Sequence, residues 1–240
     1  MNSHSPLPDG GRLYVVGDIH GRSDLLDRMV LEISRDLDAH PIGDCLTVTL
    51  GDYLDRGPDP RGVLDRLARN PFPTDFVALK GNHEELFETF LRDPSIAGLW
   101  RRLGGLETLH SYGVQVRSLM VGRNYEQVAE ALRAAVPQAH LEFLASLKLS
   151  LTVGKYFLCH AGVRPGVPLE DQSAEDLLWI REQFLDSRAD FGKIVVHGHT
   201  PIEEPEVRPN RINIDTGAFM TGRLTCAALE SECVRFLSTK

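Results

Sequence analysis

The stretch Leu46-Thr47-Val48-Thr49-Leu50-Gly51-Asp52-Tyr53-Leu54-Asp55-Arg56-Gly57 sets an apolar, β-branched run of strand length directly against glycine-flanked acids and an arginine. A strand ending this way delivers carboxylates to the carboxyl edge of a sheet, where open α/β sheets bind their ligands. The same pattern recurs along the chain. Leu13-Tyr14-Val15-Val16 runs into Gly17-Asp18-Ile19-His20-Gly21, and Phe76-Val77-Ala78-Leu79 precedes Gly81-Asn82-His83-Glu84. Further on, Tyr156-Phe157-Leu158-Cys159 meets His160-Ala161-Gly162, and Ile194-Val195-Val196 meets His197-Gly198-His199-Thr200-Pro201. Five of the 9 histidines fall in these loops, which a random scatter would not give.

Between the early strands, apolar residues recur at helical spacing. Leu25, Leu26, Met29, Val30, Ile33 and Leu37 follow a possible cap at Ser23, and Val63, Leu64 and Leu67 mark a second helix. Leu86, Phe87 and Phe90 mark a third. This βαβα order favours parallel strands covered by helices. The last three strands, Arg211 to Ile214, Leu224 to Leu229 and Cys233 to Leu237, follow one another closely, so antiparallel pairing in a second sheet is expected. Residues 85–155 are mainly helical, with Tyr125 to Val136 and then Leu141, Leu144 and Leu147 after Pro137, and read as a cap inserted into a single domain spanning 1–240. Residues 1–11 are polar and Pro-rich and read as a disordered lead-in.

Composition narrows the function. With 42% hydrophobic and 25% charged residues, the chain has ordinary globular composition. No apolar run approaches the roughly 20 residues that span a bilayer. No charged segment followed by an apolar one opens the chain, so a cytoplasmic protein without a membrane partner is expected. The four cysteines (Cys45, Cys159, Cys226, Cys233) form no C-x-x-C pair, and no disulfide framework is expected. A net charge of −8 argues against nucleic acid as a partner. A phosphate site in so acidic a chain must be local, built from metals and a few placed arginines.

The loop residues suit that purpose. Carboxylate and imidazole without thiolate favour manganese, iron or zinc over a structural zinc site. Two ions roughly 3.5–4 Å apart can clamp a phosphoryl oxygen and activate water. Each motif alone has an ordinary reading: G-D-x-H-G as a turn, Asn82-His83 as a loop pair, His160 as a core histidine. Five in order, each after a strand, make a site.

These motifs are similar to those of the calcineurin-like metallophosphoesterases. More narrowly, Asp55-Arg56-Gly57, Gly81-Asn82-His83-Glu84, His197-Gly198-His199-Thr200-Pro201, Trp179-Ile180-Arg181-Glu182 and Ile214-Asp215-Thr216-Gly217 resemble the phosphoprotein phosphatases of bacteria and bacteriophages. The resemblance runs from about Leu13 to Leu229 and is least clear in the cap. It implies an α/β fold, the four-layer α/β/β/α sandwich of two mixed sheets. It also implies two divalent ions, manganese first and iron or zinc as alternatives. Asp18 and His20 would hold the first ion, Asp52 would bridge, and Asn82, His160 and His199 would hold the second. His83 would protonate the leaving group, oriented by Asp55, while Arg56, Arg181 and Asn82 would hold the substrate phosphate. For Arg181 a second reading stays open, a solvated charge on a helix begun by Ser173 and Asp176. Two positions depart from eukaryotic relatives, Lys80 replacing arginine and Ala161 replacing glycine. The eukaryotic loop that shapes inhibitor binding near the C-terminus has no clear match, so toxin sensitivity and regulatory-subunit binding do not carry over.

His197 and His199 stand two apart on an extended segment, so geometry alone would let both reach a metal. The family motif G-H-x-H aligns His199 with its first histidine and Pro201 with its second, which leaves His197 as a neighbour. The implied activity is hydrolysis of phosphoserine or phosphothreonine in proteins, or of a small phosphoester, by metal-activated water. Dinucleoside tetraphosphate hydrolysis is the alternative, disfavoured because Thr200-Pro201 stands where such relatives carry an aromatic. A non-catalytic scaffold is a third reading, weakened by the filled ligand positions and by His83.

Overall fold

The strands sort their side chains with a period of two, and that sorting builds the layers. In β1 (Arg12–Val16), Leu13 and Val15 face one core cluster while Tyr14 and Val16 face another. The computed structural model describes residues 11–115, 124–230 and 233–240. Except for Gly11, the expected lead-in lies outside them, as does the middle of the expected cap.

β1 pairs in parallel with β2 (Cys45–Thr49), which pairs in parallel with β3 (Asp75–Ala78). The second sheet contains β4 (Ser150–Val153), β5 (Tyr156–Cys159), β6 (Ile194–His197), β7 (Glu206–Val207) and β8 (Arg211–Asn213), in the order β4-β5-β6-β8-β7. β5, β6 and β8 are parallel, and β4 and β7 are antiparallel edges. The last two strands, β9 (Thr225–Leu229) and β10 (Val234–Ser238), form an antiparallel pair that joins the first sheet beside β1. This corrects the sequence expectation for the C-terminal strands. Antiparallel pairing holds for β9 and β10, but they extend the first sheet, and the strand before them runs parallel to β6.

Three core clusters mark the three interfaces of a four-layer sandwich. Leu13, Val15 and Val48 meet Leu158, Val196 and Ile212 between the sheets. Outside the second sheet, Phe157, Cys159 and Val195 pack on α8 (Ala174–Trp179) and α9 (Glu182–Leu185) through Leu177 and Phe184. Outside the first sheet, Tyr14, Val16 and Ala228 pack on α1 (Ser23–Ala39) and α2 (Pro60–Leu67) through Leu26, Met29 and Leu64. The same cluster takes in Phe87 of α3 (Asn82–Arg92), Trp100 of α4 (Ala97–Arg102) and Leu109 of α5 (Gly105–Ser111). Leu132 of α6 (Tyr125–Ala135) and Phe143 of α7 (Gln138–Ser146) complete it. One more short helix, α10 (Ala218–Thr221), follows β8.

One helix start differs from expectation. Arg22, not Ser23, stands before α1 and makes no side-chain cap, while the Ser23 hydroxyl donates to Asp59 Oδ2 at 2.6 Å. Asp59 caps α2 by accepting from the Gly62 N–H, with Pro60 opening that helix. Ser173 does cap α8, but α8 ends at Trp179, so Arg181 sits between two short helices and not on a helix face. All four cysteines are free. Among the described residues, no helix is long and apolar enough to cross a membrane.

A buried ion cluster fastens α1 to the first sheet. The Asp36 carboxylate accepts from Tyr14 Oη at 2.7 Å, from Arg12 Nη1 at 3.1 Å and from Arg235 of β10. Burial opposes ionisation of Asp36, yet the hydrogen bonds from Arg235 and Tyr14 outweigh it and hold the carboxyl below its ordinary pKa. A depressed folded pKa stabilises the fold above the unfolded value of about 3.9, and that contribution is lost as pH falls through the folded value. Asp36→Ala is expected to lower unfolding free energy by about 3 kcal/mol at neutral pH. Glu230, which accepts from Arg12 Nε at 2.8 Å, keeps the loss from being larger. The gap between variant and parent in urea titrations should narrow below about pH 4. A gap independent of pH would show that Asp36 acts by packing alone.

Candidate metal centre

The loops after β1, β2, β3, β5 and β6 converge, and their ligand-type atoms gather in two groups that share one residue. His20, Asp52 and His83 form the first group, and Asp52, His160 and His199 the second, the atoms of each lying within 4.8 Å of one another. Asp52 faces both ways. Its Oδ2 lies 3.2 Å from His20 Nε2, and its Oδ1 lies 3.4 Å from His160 Nε2. Asn82 Oδ1 joins the second group, 2.8 Å from His160 Nε2 and 2.9 Å from His199 Nδ1. Two donors each about 2.1 Å from one ion and at right angles stand about 3 Å apart, so these spacings match the edges of a coordination shell.

Backbone carbonyls set the ring orientations. His20 Nδ1 donates to Leu54 O at 2.8 Å and His160 Nδ1 to Leu50 O at 3.0 Å, which turns the Nε2 lone pairs inward. Asp18 lies outside both groups. Its Oδ2 accepts from the His199 N–H at 3.0 Å, while its buried Oδ1 has no partner among the described residues. Burial, then Asp215 and Asp52, push the Asp18 carboxyl well above its usual range. Burial, then His160, pull His199 down to about 2. Crowded carboxylates with an unpartnered oxygen, beside His160 and His199 pulled toward the neutral form by burial, are the donor set that divalent cations satisfy. The residues therefore fit a pair of ions.

The loops carry strain to reach this arrangement. His20, Asp52, Asp55, Arg56 and His199 all have positive φ (44°, 51°, 66°, 65° and 66°). Each such residue costs of order 1 kcal/mol or more, and such strain collects at functional sites. Gly198 lets β6 come close, since a Cβ there would fall 2.0 Å from Asp18 Oδ1.

His83 stands at the start of α3, fully buried. Its Nδ1 bonds Asp55 Oδ2 at 2.7 Å, and its Nε2, 3.9 Å from Asp52 Oδ2, has no hydrogen-bond partner among the described residues. Trp100 Nε1 at 2.9 Å and Thr108 Oγ1 at 2.5 Å donate to the same Asp55 carboxylate. Arg56 is half-buried, its Nε 3.4 Å from Leu103 O and its guanidinium 5.0 Å from the Phe219 ring centre. Arg181 is exposed, its side chain makes no hydrogen bond among the described residues, and its charge bears on His199. His197 turns away, with Nε2 3.4 Å from Arg211 Nη1 and its ring against Phe184. Burial, then Arg211, hold its pKa near 3.

Several contributors were not singled out from sequence. Asp215, in the Ile214-Asp215-Thr216-Gly217 segment buried beyond β8, bears on Asp18. Trp179 Nε1 reaches Glu85 Oε2 at 2.6 Å and links α8 to α3 across the two sheets' helices. Trp100, Thr108 and Phe219 carry no local signal, because their role exists only through residues far away in the chain.

The family model described as calcineurin-like phosphoesterase matches residues 11–219. The chain is 28% identical to a protein named bis(5'-nucleosyl)-tetraphosphatase PrpE (asymmetrical) of Anoxybacillus flavithermus, over 94% of each chain. It is 30% identical to serine/threonine-protein phosphatase 1 of Salmonella typhimurium, over 91% of this chain and 92% of that one. The solved structure of a cold-active protein-tyrosine phosphatase from a psychrophilic Shewanella species shares the fold, with a TM-score of 0.59 and 15% identity over 98% of this chain and 83% of that one.

Glu84 holds the loops in register. Its Oε2 accepts from the N–H groups of Asp52 at 2.8 Å and Gly81 at 2.9 Å, and its Oε1 from Tyr53 at 2.8 Å and Leu54 at 3.2 Å. Glu84→Gln puts an amide donor where two of these donors need an acceptor. The expected loss is about 2–4 kcal/mol of unfolding free energy, one to two unsatisfied buried N–H groups. Chemical denaturation measures it, and an unchanged midpoint would mean that the loops hold themselves.

Proposed function

Because the chain belongs to the calcineurin-like phosphoesterase family, we propose that it is a metal-dependent phosphomonoester hydrolase acting on phosphoserine or phosphothreonine in proteins. The observation that carries this is the His83–Asp55 pair, whose unpartnered Nε2 lies beside Asp52, the residue that the two ligand groups share. Asp18, His20 and Asp52 would hold one ion, and Asp52, Asn82, His160 and His199 the other, with manganese first and iron or zinc as alternatives. Bound there, two divalent ions supply Lewis acidity toward the phosphoryl oxygens and toward the attacking water.

The chain's own residues supply the rest. Asp55 accepts the Nδ1 proton of His83, leaving Nε2 to carry the proton that the departing alkoxide needs. Trp100 and Thr108 fix the Asp55 carboxylate, so the imidazole cannot rotate away without breaking a set of hydrogen bonds. Arg56 and Arg181 offer planar forks to the phosphate oxygens, suited to two-point contact. The Arg181 backbone between α8 and α9 supports this role over that of a helix-face charge. A second reading, hydrolysis of a dinucleoside tetraphosphate, draws on the tetraphosphatase relative matched nearly end to end.

Turnover of a phosphoserine peptide is expected to exceed that of a dinucleoside tetraphosphate, and both should require added Mn²⁺; the reverse preference selects the second reading. In the same assay, His83→Asn should lower kcat on the peptide about 10²–10⁴-fold, the usual size of general-acid loss. Its effect on p-nitrophenyl phosphate should be smaller, since that leaving group barely needs a proton. Equal losses would remove the acid role.

The two histidines after β6 give a second measurement. His199→Ala is expected to reduce metal content by elemental analysis, whereas His197→Ala keeps two ions per chain. A loss of metal on changing His197 would reverse the assignment.

A further inference from the structure

Arg56 reaches the mouth of the site from a backbone that few side chains tolerate, with φ at 65°. Its N–H donates to Gly104 O at 3.1 Å, and Gly104 (φ 109°) passes so close that a Cβ there would lie 2.7 Å from Arg56 Cγ. These contacts fix where the side chain starts, not where the guanidinium ends. Beyond Nε, which is 3.4 Å from Leu103 O, no hydrogen bond or ion pair among the described residues holds the terminal nitrogens. One thing does meet the guanidinium, the face of Phe219, 5.0 Å away.

Phe219 is well placed for this. It sits on α10, whose carbonyl at Ala218 accepts from Arg22 Nη1 at 3.0 Å and whose Thr221 hydroxyl donates to Thr216 O at 2.9 Å. The half-buried ring stands edge-on to His20, with centroids 5.3 Å apart and planes at 80°. It thus lies against a proposed metal ligand and a proposed phosphate-binding arginine at once, and with Arg56, Leu103 and Gly104 it lines an open groove. A guanidinium lying over an aromatic ring is attracted through its face, which leaves the in-plane N–H donors free.

We propose that Phe219 is the positioning residue for Arg56, holding the guanidinium by its face so that its donor edge stays turned to the substrate phosphate. This rests on the phosphohydrolase reading and on Arg56 as a phosphate ligand. The alternative role for the ring is packing on His20, which would be felt as lost metal.

The test is a double-mutant cycle on full-length, Mn²⁺-loaded protein. Binding of inorganic phosphate is read by titration calorimetry, and KM and kcat with p-nitrophenyl phosphate. Phe219→Leu keeps the bulk and removes the π face, and phosphate affinity should fall about three- to tenfold, the size of one cation–π contact. KM should rise in step, with kcat changed less. Phe219→Tyr should restore parental affinity. Metal content and melting temperature should match the parent in both. In an Arg56→Ala background, Phe219→Leu should have no further effect on phosphate. Additive losses, an inert Phe219→Leu, or a loss of metal or of fold on that change would overturn the inference. Unchanged phosphate binding in Arg56→Ala alone would instead remove the phosphate role of Arg56, and the inference with it.

Discussion

Four backbone N–H groups from two loops end on one carboxylate, that of Glu84, and the geometry of the site depends on it. The loop after β2 leaves its strand through Gly51 and three non-glycine residues with positive φ, Asp52, Asp55 and Arg56, so it cannot satisfy its donors by continuing the sheet. A buried N–H left without an acceptor costs about 1–3 kcal/mol, and several such groups would outweigh the fold's margin. Glu84 removes that cost from the first turn of α3. The same carboxylate therefore fixes Asp52 against Asn82 and His83, two residues upstream of it and one. Other ties of the same type close the ring: the Ile19 and His20 N–H groups donate to Asp52 O, and Gly198 N donates to His160 O. The loops are held by each other more than by their own strands.

This explains what could be read from the sequence and what could not. Strands β1, β2, β5 and β6 were legible because each is an apolar run ending in glycine or histidine, and the period-two sorting follows from the run itself. The loop residues were legible because their chemistry is written beside the strand that delivers them. Which sheet a strand joins is not written there. β9 and β10 read as members of the second sheet by proximity in sequence, yet Ala227 and Ala228 pair with Val15 and Tyr14, more than 200 residues earlier. Pairing of that range is decided by the burial of whole faces, to which local periodicity is blind.

The helical layer shows the same limit within the site. Trp100 and Thr108 reach Asp55 from 45 and 53 residues away, and nothing near either residue announces it. An apolar helical stretch reads as packing, and most of Trp100 does pack, against Phe87 and Phe90. Its indole nitrogen is the exception, and its partner can be named only once α4 is placed over α3. The helices between α3 and β4 thus share a core with α1 and α2 and also finish the hydrogen bonding of a catalytic-type pair. Truncating that layer would expose apolar surface and free the Asp55 carboxylate together.

The electrostatics of the mouth then bear on how binding is ordered. Asp18, Asp52, Asp55, Asp215 and Glu84 are all buried around the site, in a chain whose net charge is already −8. Arg56 and Arg181 are the cations proposed to meet substrate here, and Arg56 already bears on Asp18 and Asp215. Burial raises the Asp18 and Asp215 carboxyls above their ordinary range, so the pocket resists a further buried anion such as a phosphate dianion, and two guanidinium groups offset that cost only in part. Divalent cations held there would favour the ionised carboxylates and turn the local field positive. Affinity for phosphate and affinity for metal are therefore linked: each favours the other by the same coupling free energy, as linkage requires. On the proposed function, the acidity of the site ties phosphate binding to its ions, and Arg56 and Arg181 would add to a field that they could not create alone.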